Sequence, residues 1–362
     1  MKYINQDGHF MNKQVAFYFL FLLLVFHSPA KCQNSCVFNN PVLFGDFDAG
    51  DPTVAQDKNV FYLTFSSKEL PIYESSNMVD WVKVNNIITE RNKKKILFLV
   101  NDILETNKLS DIIKIENLDF WAPEFVKVGK KWKCYVTTPF AFPWNKGNYL
   151  LCLIFSSKKI NSTWKFDGVL FSGDNEISSY QSLSWNAIDV YLIKDKNNNP
   201  YLFYGSNGVY AVKLNARCTK IKGKPIKLSE SVLNCEASMV FYRNGYYYLF
   251  NSIGGAKREE KYRVIVTRSK NILGEYKDKE GNSLKTALRS IKPILQGNND
   301  YISCGHVSNI IEDKNGNSYL LYGGFEEKGS RRVFLQRLIW GDDGWPYFEE
   351  SIPKNQEIIP IF

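Results

Sequence analysis

The sequence predicts an all-β fold, a single five-bladed β-propeller. Three observations carry this: a short aromatic strand that recurs five times, a polar turn leading into each copy, and no convincing helical periodicity after the first thirty residues. The copies are NVFYLTFSS (59–67), KKWKCYVTT (130–138), NPYLFYGS (199–206), GYYYLFNS (245–252) and NSYLLYGG (317–324). Each is rich in aromatic and β-branched residues, as strands on a packed sheet are. The turns QDKN, VGKK, DKNNN, YRNG and DKNGN have the Asx- and Gly-rich chemistry that closes β-hairpins. Units that recur with uneven insertions between them suit four-stranded blades. The nearest approach to a helix, SLKTALRSI (283–291), is short.

Upstream of each copy stands a polar residue at the head of another strand: Asp51, Glu124, Asp189, Glu236 and His306. In a propeller the first strand of each blade borders the central channel, so these five are expected to meet on the axis. Asp189 interrupts the apolar run AIDVYLI (187–193). A carboxylate is costly to bury, and a strand head opening onto a solvated channel accounts for it.

The 362 residues, 44% hydrophobic and 15% aromatic, suffice for a large core. Residues 15–26, VAFYFLFLLLVF, lie between Lys13 and the small-residue stretch Ser28-Pro29-Ala30. That is the pattern of a secretory leader, so residues 1–30 are expected to be removed by cleavage near Ala30 to Cys32. The propeller is then expected over 36–362, in a secreted, extracellular protein. No later run approaches the ~20 apolar residues of a membrane span, and no membrane association is expected once the leader is gone. A monomer is expected.

Some of the seven cysteines are expected to pair in an oxidising compartment. No C-x-x-C occurs, which removes the usual zinc and thiol-redox motifs. The net charge of +9 is scattered apart from RNKKK (91–95). It reads as a solvated surface, or as attraction to an anionic polysaccharide matrix; nucleic acid is not expected as a partner. Loss of the leader removes two of the three histidines, His9 and His27, and leaves His306. A lone histidine excludes multi-histidine metal sites and confines any Ser-His-Asp site to its vicinity.

Asp51, Asp189 and Glu236 converging with His306 are what acid/base hydrolysis of an acetal requires. One carboxylic acid protonates the leaving oxygen, one carboxylate deprotonates water, and a neighbouring charge keeps the acid protonated near neutral pH. The chain resembles glycoside hydrolase family 43, and within it the arabinanases. The matching stretches are GDPTV…VFYLTFSS (50–67), YESSNMVDW (73–81), FWAPEFVKVGKKWKCYVT (120–137), NAIDVYLIKDKNNNPYLFYGS (186–206), CEASMVFYRNGYYYLFNS (235–252), YRVIVTRSKNILGEYKDKEG (262–281), GHVSNIIEDKNGNSYLLYGG (305–324) and WGDDGWP (340–346), in the family's order.

The resemblance implies that Asp51 is the general base and Glu236 the general acid. Asp189 would orient the acid and raise its pKa, and catalysis would invert the anomeric carbon with acid and base about 6.5–9.5 Å apart. It implies calcium in the channel beside His306, bridged by water, and no organic cofactor. Its substrate would be a polysaccharide or oligosaccharide, the α-1,5-linked arabinan of plant cell walls. Phe120, Trp121 and Trp185 are candidates to stack on the sugar, with Asn186 a candidate contact that also buttresses Asp189. Arg268 is expected as an ion-pair partner. Two departures stand out: Val190 where the family usually has proline, and Ala237-Ser238 where an alanine-proline or glycine-proline usually follows the acid. The rival readings are a β-xylosidase or α-L-arabinofuranosidase of the same family, and a carbohydrate-binding propeller without turnover.

Overall fold

The structure is a computed structural model; it describes residues 38–43, 45, 47–106, 118–140, 149–172, 188–326, 329–356 and 360–362. The leader 1–30, Cys32, Cys36, Trp185 and Asn186 lie outside the described residues.

The strands form five separate antiparallel sheets, the five blades of a β-propeller. Blade 1 contains β1 (Thr53–Asp57), β2 (Val60–Thr64), β3 (Pro71–Ser75) and β4 (Val82–Asn86). Blade 2 contains β5 (Trp121–Val128), β6 (Lys131–Phe140), β7 (Tyr149–Ser157) and β8 (Lys165–Ser172). Blade 3 contains β9 (Tyr191–Lys194), β10 (Pro200–Tyr204), β11 (Tyr210–Leu214) and β12 (Ile221–Lys227). Blade 4 contains β13 (Glu236–Arg243), β14 (Tyr246–Ile253), β15 (Arg263–Ser269) and β16 (Leu295–Gln296). In blade 5 the inner strand is broken into β17 (Tyr301–Gly305) and β18 (Ile311–Glu312), both paired with β19 (Ser318–Glu326), followed by β20 (Arg331–Trp340) and β21 (Pro346–Tyr347). Each of the five aromatic repeats is the second strand of its blade, hydrogen-bonded to the first through the turn that the sequence marks.

The described buried apolar side chains fall into five clusters, one between each pair of neighbouring blades. This is how a propeller solves burial: every sheet is covered on both faces, so its strands read as nearly continuous apolar runs. The ring closes through the ends of the chain. Phe38 and Leu43 bridge to Gln356 and Val333, and the Asn40 amide side chain donates to the Leu335 and Lys354 carbonyls. Phe362 meets Phe61 of blade 1 at 4.3 Å between ring centroids.

One expectation is corrected here: residues Glu90–Thr106 form an α-helix, α1, between blades 1 and 2. Its buried positions Asn92, Ile96, Val100, Ile103 and Leu104 follow helical spacing; the periodicity is present, hidden because ILFLV (96–100) reads equally well as a strand. The five described cysteines, Cys134, Cys152, Cys218, Cys235 and Cys304, are all free and buried; Cys32 and Cys36, on which the expected pairing then rests, lie outside the described residues. Each of the five fills a place in an inter-blade core as a small apolar group.

Candidate active site

Five residues at corresponding points of the inner strands adopt left-handed backbone: Asp51 (φ 55°), Ala122 (φ 46°), Asp189 (φ 52°), Ala237 (φ 50°) and His306 (φ 54°). Non-glycine residues rarely hold this conformation unless the surroundings fix it. At three of the five, hydroxyls and a carboxylate of the preceding blade do so. Ala122 N–H donates to Ser66 Oγ at 2.8 Å, Ala237 N–H to Asp189 Oδ2 at 3.2 Å, and His306 N–H to Ser252 Oγ at 2.8 Å. The true fivefold series therefore contains two alanines. Glu236 stands one residue before its left-handed position and Glu124 two after, which corrects the sequence alignment of the five polar residues.

The heads of these strands open onto a cavity of about 820 Å³ whose lining includes Asp51, Asp189, Glu236, Trp121, Ser206 and Arg331. The three predicted carboxylates are thus brought together. A second cavity of about 590 Å³ shares Asp48, Trp121 and Arg331 with the first, and adds Phe47, Phe65 and Tyr73. Trp121 borders both. Phe120 borders the second but is 0% exposed, packed in the core between blades 1 and 2; the structure displays its packing role.

Asp51 receives Ser66 Oγ–H at 2.6 Å and Arg331 Nη1–H at 3.1 Å to both carboxyl oxygens. Arg331 is itself held by Asp48 through its backbone N–H, Nε and Nη2. Burial pushes the Asp51 carboxyl up, yet the Arg331 charge, His306 in its protonated form at acid pH and the Ser66 bond outweigh it, so it sits below the ordinary aspartate value. Gly50 is glycine for a local reason: a Cβ there would overlap the Arg331 guanidinium. His306 Nδ1 lies 3.5 Å from Asp51 Oδ1, and burial holds the imidazole below its usual pKa, hence neutral near pH 7.

Glu236 has the opposite environment. Burial raises it to about 7, partly opposed by hydroxyls of Ser206 and Tyr262 and reinforced by the negative charges of Asp51 and Glu260. Ser206 Oγ–H donates to Glu236 Oε2 at 2.6 Å. Asp189 is raised well above its usual value by burial first and by the charge of Glu236 next. Two buried carboxyls that repel each other do not both ionise near neutrality, so the pair retains a proton. The bond from Ala237 N–H also lets Asp189 grip the backbone directly after Glu236.

The departures find places. Val190 is 4% exposed, in the core between blades 2 and 3. Ser238 receives the Asn251 side-chain amide at 2.9 Å, a bond that a proline there could not accept. Arg268 has no ion pair among the described residues; its guanidinium lies over the rings of Tyr246 (4.4 Å) and Trp345 (4.3 Å), which corrects the ion-pair expectation.

Glu124 does not line either cavity. It is 7% exposed, takes a hydrogen bond from Thr53 Oγ1 at 2.8 Å and another from Asn309, and burial raises it to about 8. Asn309 in turn donates to Val54 O and accepts from Tyr191 Oη, which also reaches Val240 O. Thr53, Glu124, Tyr191, Val240 and Asn309 come from blades 1 to 5 in order, so one polar cluster ties every blade at the axis.

Among the described residues no three His, Cys, Asp or Glu side chains cluster as metal ligands. Calcium requires six to eight oxygen ligands. Beside His306 the protein offers Asp51, already paired with Arg331, so the donor set fits only a largely hydrated ion reached by His306 through water. Sequence reasoning missed Arg331, Ser66, Ser206 and Tyr262. The serines end the aromatic repeats and could have been noticed there; no local signal separates Arg331 from Arg332.

The chain is similar to an extracellular endo-α-(1→5)-L-arabinanase of Bacillus subtilis, 27% identical over 82% of this chain and 87% of that protein. It is similar also to an extracellular exo-α-(1→5)-L-arabinofuranosidase of Cellvibrio japonicus, 25% identical over 84% and 87%. A solved Cellvibrio cellulosa α-L-arabinanase complexed with arabinohexaose shares the fold, with a TM-score of 0.68 at 20% identity over 84% of this chain and 96% of that one. The model of glycosyl hydrolases family 43 matches residues 38–346. With the propeller, the paired acid and base environments and this match, the chain belongs to glycosyl hydrolase family 43 and is an arabinanase-like hydrolase of O-glycosyl bonds.

Proposed function

We propose that the protein is a secreted, inverting, endo-acting hydrolase of α-1,5-linked L-arabinofuranosyl bonds in plant cell-wall arabinan. The observation that carries this is the split between two carboxyls in one cavity, Asp51 held ionised and Glu236 held protonated near neutral pH. Glu236 gives its proton to the glycosidic oxygen as the bond from that oxygen to the anomeric carbon breaks. Asp51 takes a proton from a water whose oxygen bonds to the same carbon from the opposite face. Asp189 keeps the acid in place through Ala237 and shares its proton. Trp121 supplies a ring at the junction of the two cavities, and Trp185 and Asn186 are proposed further contacts.

Endo action is supported by the second cavity, which continues from the first past Trp121 and Arg331 and offers room for sugars beyond the cleaved bond. Secretion is supported by the leader pattern and by the extracellular naming of both relatives. A calcium ion enters the reading only as a hydrated ion near His306, where its charge would favour ionised Asp51; no step depends on it.

The test is sugar release from debranched arabinan, xylan and β-1,3-galactan by wild type and Glu236→Gln. Arabinan cleavage that falls by several orders of magnitude in Glu236→Gln is expected. Preference for xylan would move the assignment to a xylosidase, and binding without release to a carbohydrate-binding propeller.

A further inference from the structure

We propose that Tyr262 is a positioning residue for the acid: its phenol O–H is a donor held in reserve, turned onto the Glu236 carboxylate once Glu236 has released its proton. Tyr262 lies just before β15 and is 6% exposed; its ring packs across Gly305, where any Cβ would collide with it. The hydroxyl is buried close to the Glu236 carboxyl and to Ser252 Oγ, yet it completes no hydrogen bond. A buried hydroxyl without a partner is costly, and one left beside three carboxyls points to a partner that changes state.

The donors around it have one consistent direction. His306 N–H already occupies Ser252 Oγ as acceptor. Ser252 O–H is then free to point at Tyr262 Oη, which leaves the phenol proton for Glu236. Ser206 holds the Oε2 side of the same carboxyl at 2.6 Å. No proton is transferred from Tyr262: the Glu236 proton leaves with the glycosidic oxygen, and the phenol lends a hydrogen bond to the anion left behind. The charged and titratable groups around Glu236 are Asp51, Asp189, Glu260 and Cys235, with Arg331 and His306 beyond at Asp51 and with Lys257, Arg258 and Glu259 lining the same cavity. Lys257 is paired with Glu260, Arg258 donates to the Glu326 and Gly329 carbonyls, and Arg331 is held by Asp48 and Asp51, which leaves the hydroxyls of Ser206 and Tyr262 as the donors placed at the Glu236 carboxyl itself.

The inference rests on Glu236 being the acid, and the experiment separates the two. Titration of the Glu236 carboxyl is followed by 13C NMR in substrate-free protein, its resonance assigned by its loss in Glu236→Gln. Removing one hydrogen bond to a charged group shifts a pKa by about one to two units, so Tyr262→Phe is expected to raise the Glu236 midpoint by that amount. Ser206→Ala is expected to raise it too. In kcat/KM against pH, the alkaline limb of Tyr262→Phe should move up in step with the NMR midpoint. A midpoint unchanged in a Tyr262→Phe protein of wild-type melting temperature overturns the proposal, as does a fall in rate that is equal at every pH. A midpoint that moves in a protein with no glycosidase activity would leave the role of Tyr262 standing and overturn the hydrolase reading instead.

Discussion

Replacing Glu124 with glutamine should make the protein more stable, and only above a definite pH. Glu124 is raised from 4.5 to about 8 by burial at the axis, its carboxyl surrounded by Thr53 and Asn309. In the unfolded chain it ionises near 4.5; in the folded protein it keeps its proton to about 8. Between those values the unfolded state has released a proton that the native state still holds, so stability falls as pH rises. Its contribution is fully favourable below the unfolded value, and the loss is complete above the folded one. At about 1.4 kcal/mol per pKa unit, the cost to the wild type at alkaline pH is about 3–5 kcal/mol. A glutamine in its place keeps an oxygen for Thr53 and adds no charge, so Glu124→Gln should match the wild type near pH 4.5 and exceed it progressively up to about pH 8. For a domain of this size that is a melting-temperature gap of several degrees. Thermal denaturation of both proteins at half-unit pH intervals reads it directly. A gap that is constant across the window, or a variant less stable throughout, would refute the account of Glu124 as a neutral pin at the axis.

Arg331→Gln should move the acidic limb of kcat/KM to higher pH by about one unit or more, because loss of the paired guanidinium lets burial raise Asp51, the proposed base; a uniform loss of rate with the limb unmoved would count against it. Ile96→Ala should destabilise the protein by about 2–4 kcal/mol, since Ile96 is fully buried where helix α1 meets blades 1 and 2; denaturant titration showing no change would mean that the helix is not part of the core.

The architecture was legible because a propeller writes itself into local sequence. Each blade repeats one hairpin, and the residues that make the hairpin, aromatic strand and Asx-Gly turn, are contiguous. The acids were legible because a carboxylate at the end of an apolar strand is expensive and therefore conspicuous, as Asp189 is. What repeats at the strand heads, however, is a backbone conformation and not a polar side chain. Ala122 and Ala237 satisfy it silently, which is why Glu124 looked equivalent to Asp51 and is instead a member of the axial cluster. Arg331 was out of reach for another reason. Its partner Asp51 lies 280 residues away, and only closure of blade 5 against blade 1 joins them. Helix α1 was missed because five consecutive apolar residues satisfy strand and helix templates alike, and the arbiter, the spacing of Ile96, Val100, Ile103 and Leu104, carries weight only once length is considered.

If Glu236 and Asp51 act on opposite sides of an α-1,5-arabinofuranosyl bond, the sugar at the new reducing end must emerge inverted. 1H NMR of the first products formed from an arabino-oligosaccharide, recorded before mutarotation, should show that end as the β-L-arabinofuranosyl anomer; the α-anomer there, or no cleavage at all, would overturn the assignment of the two carboxyls.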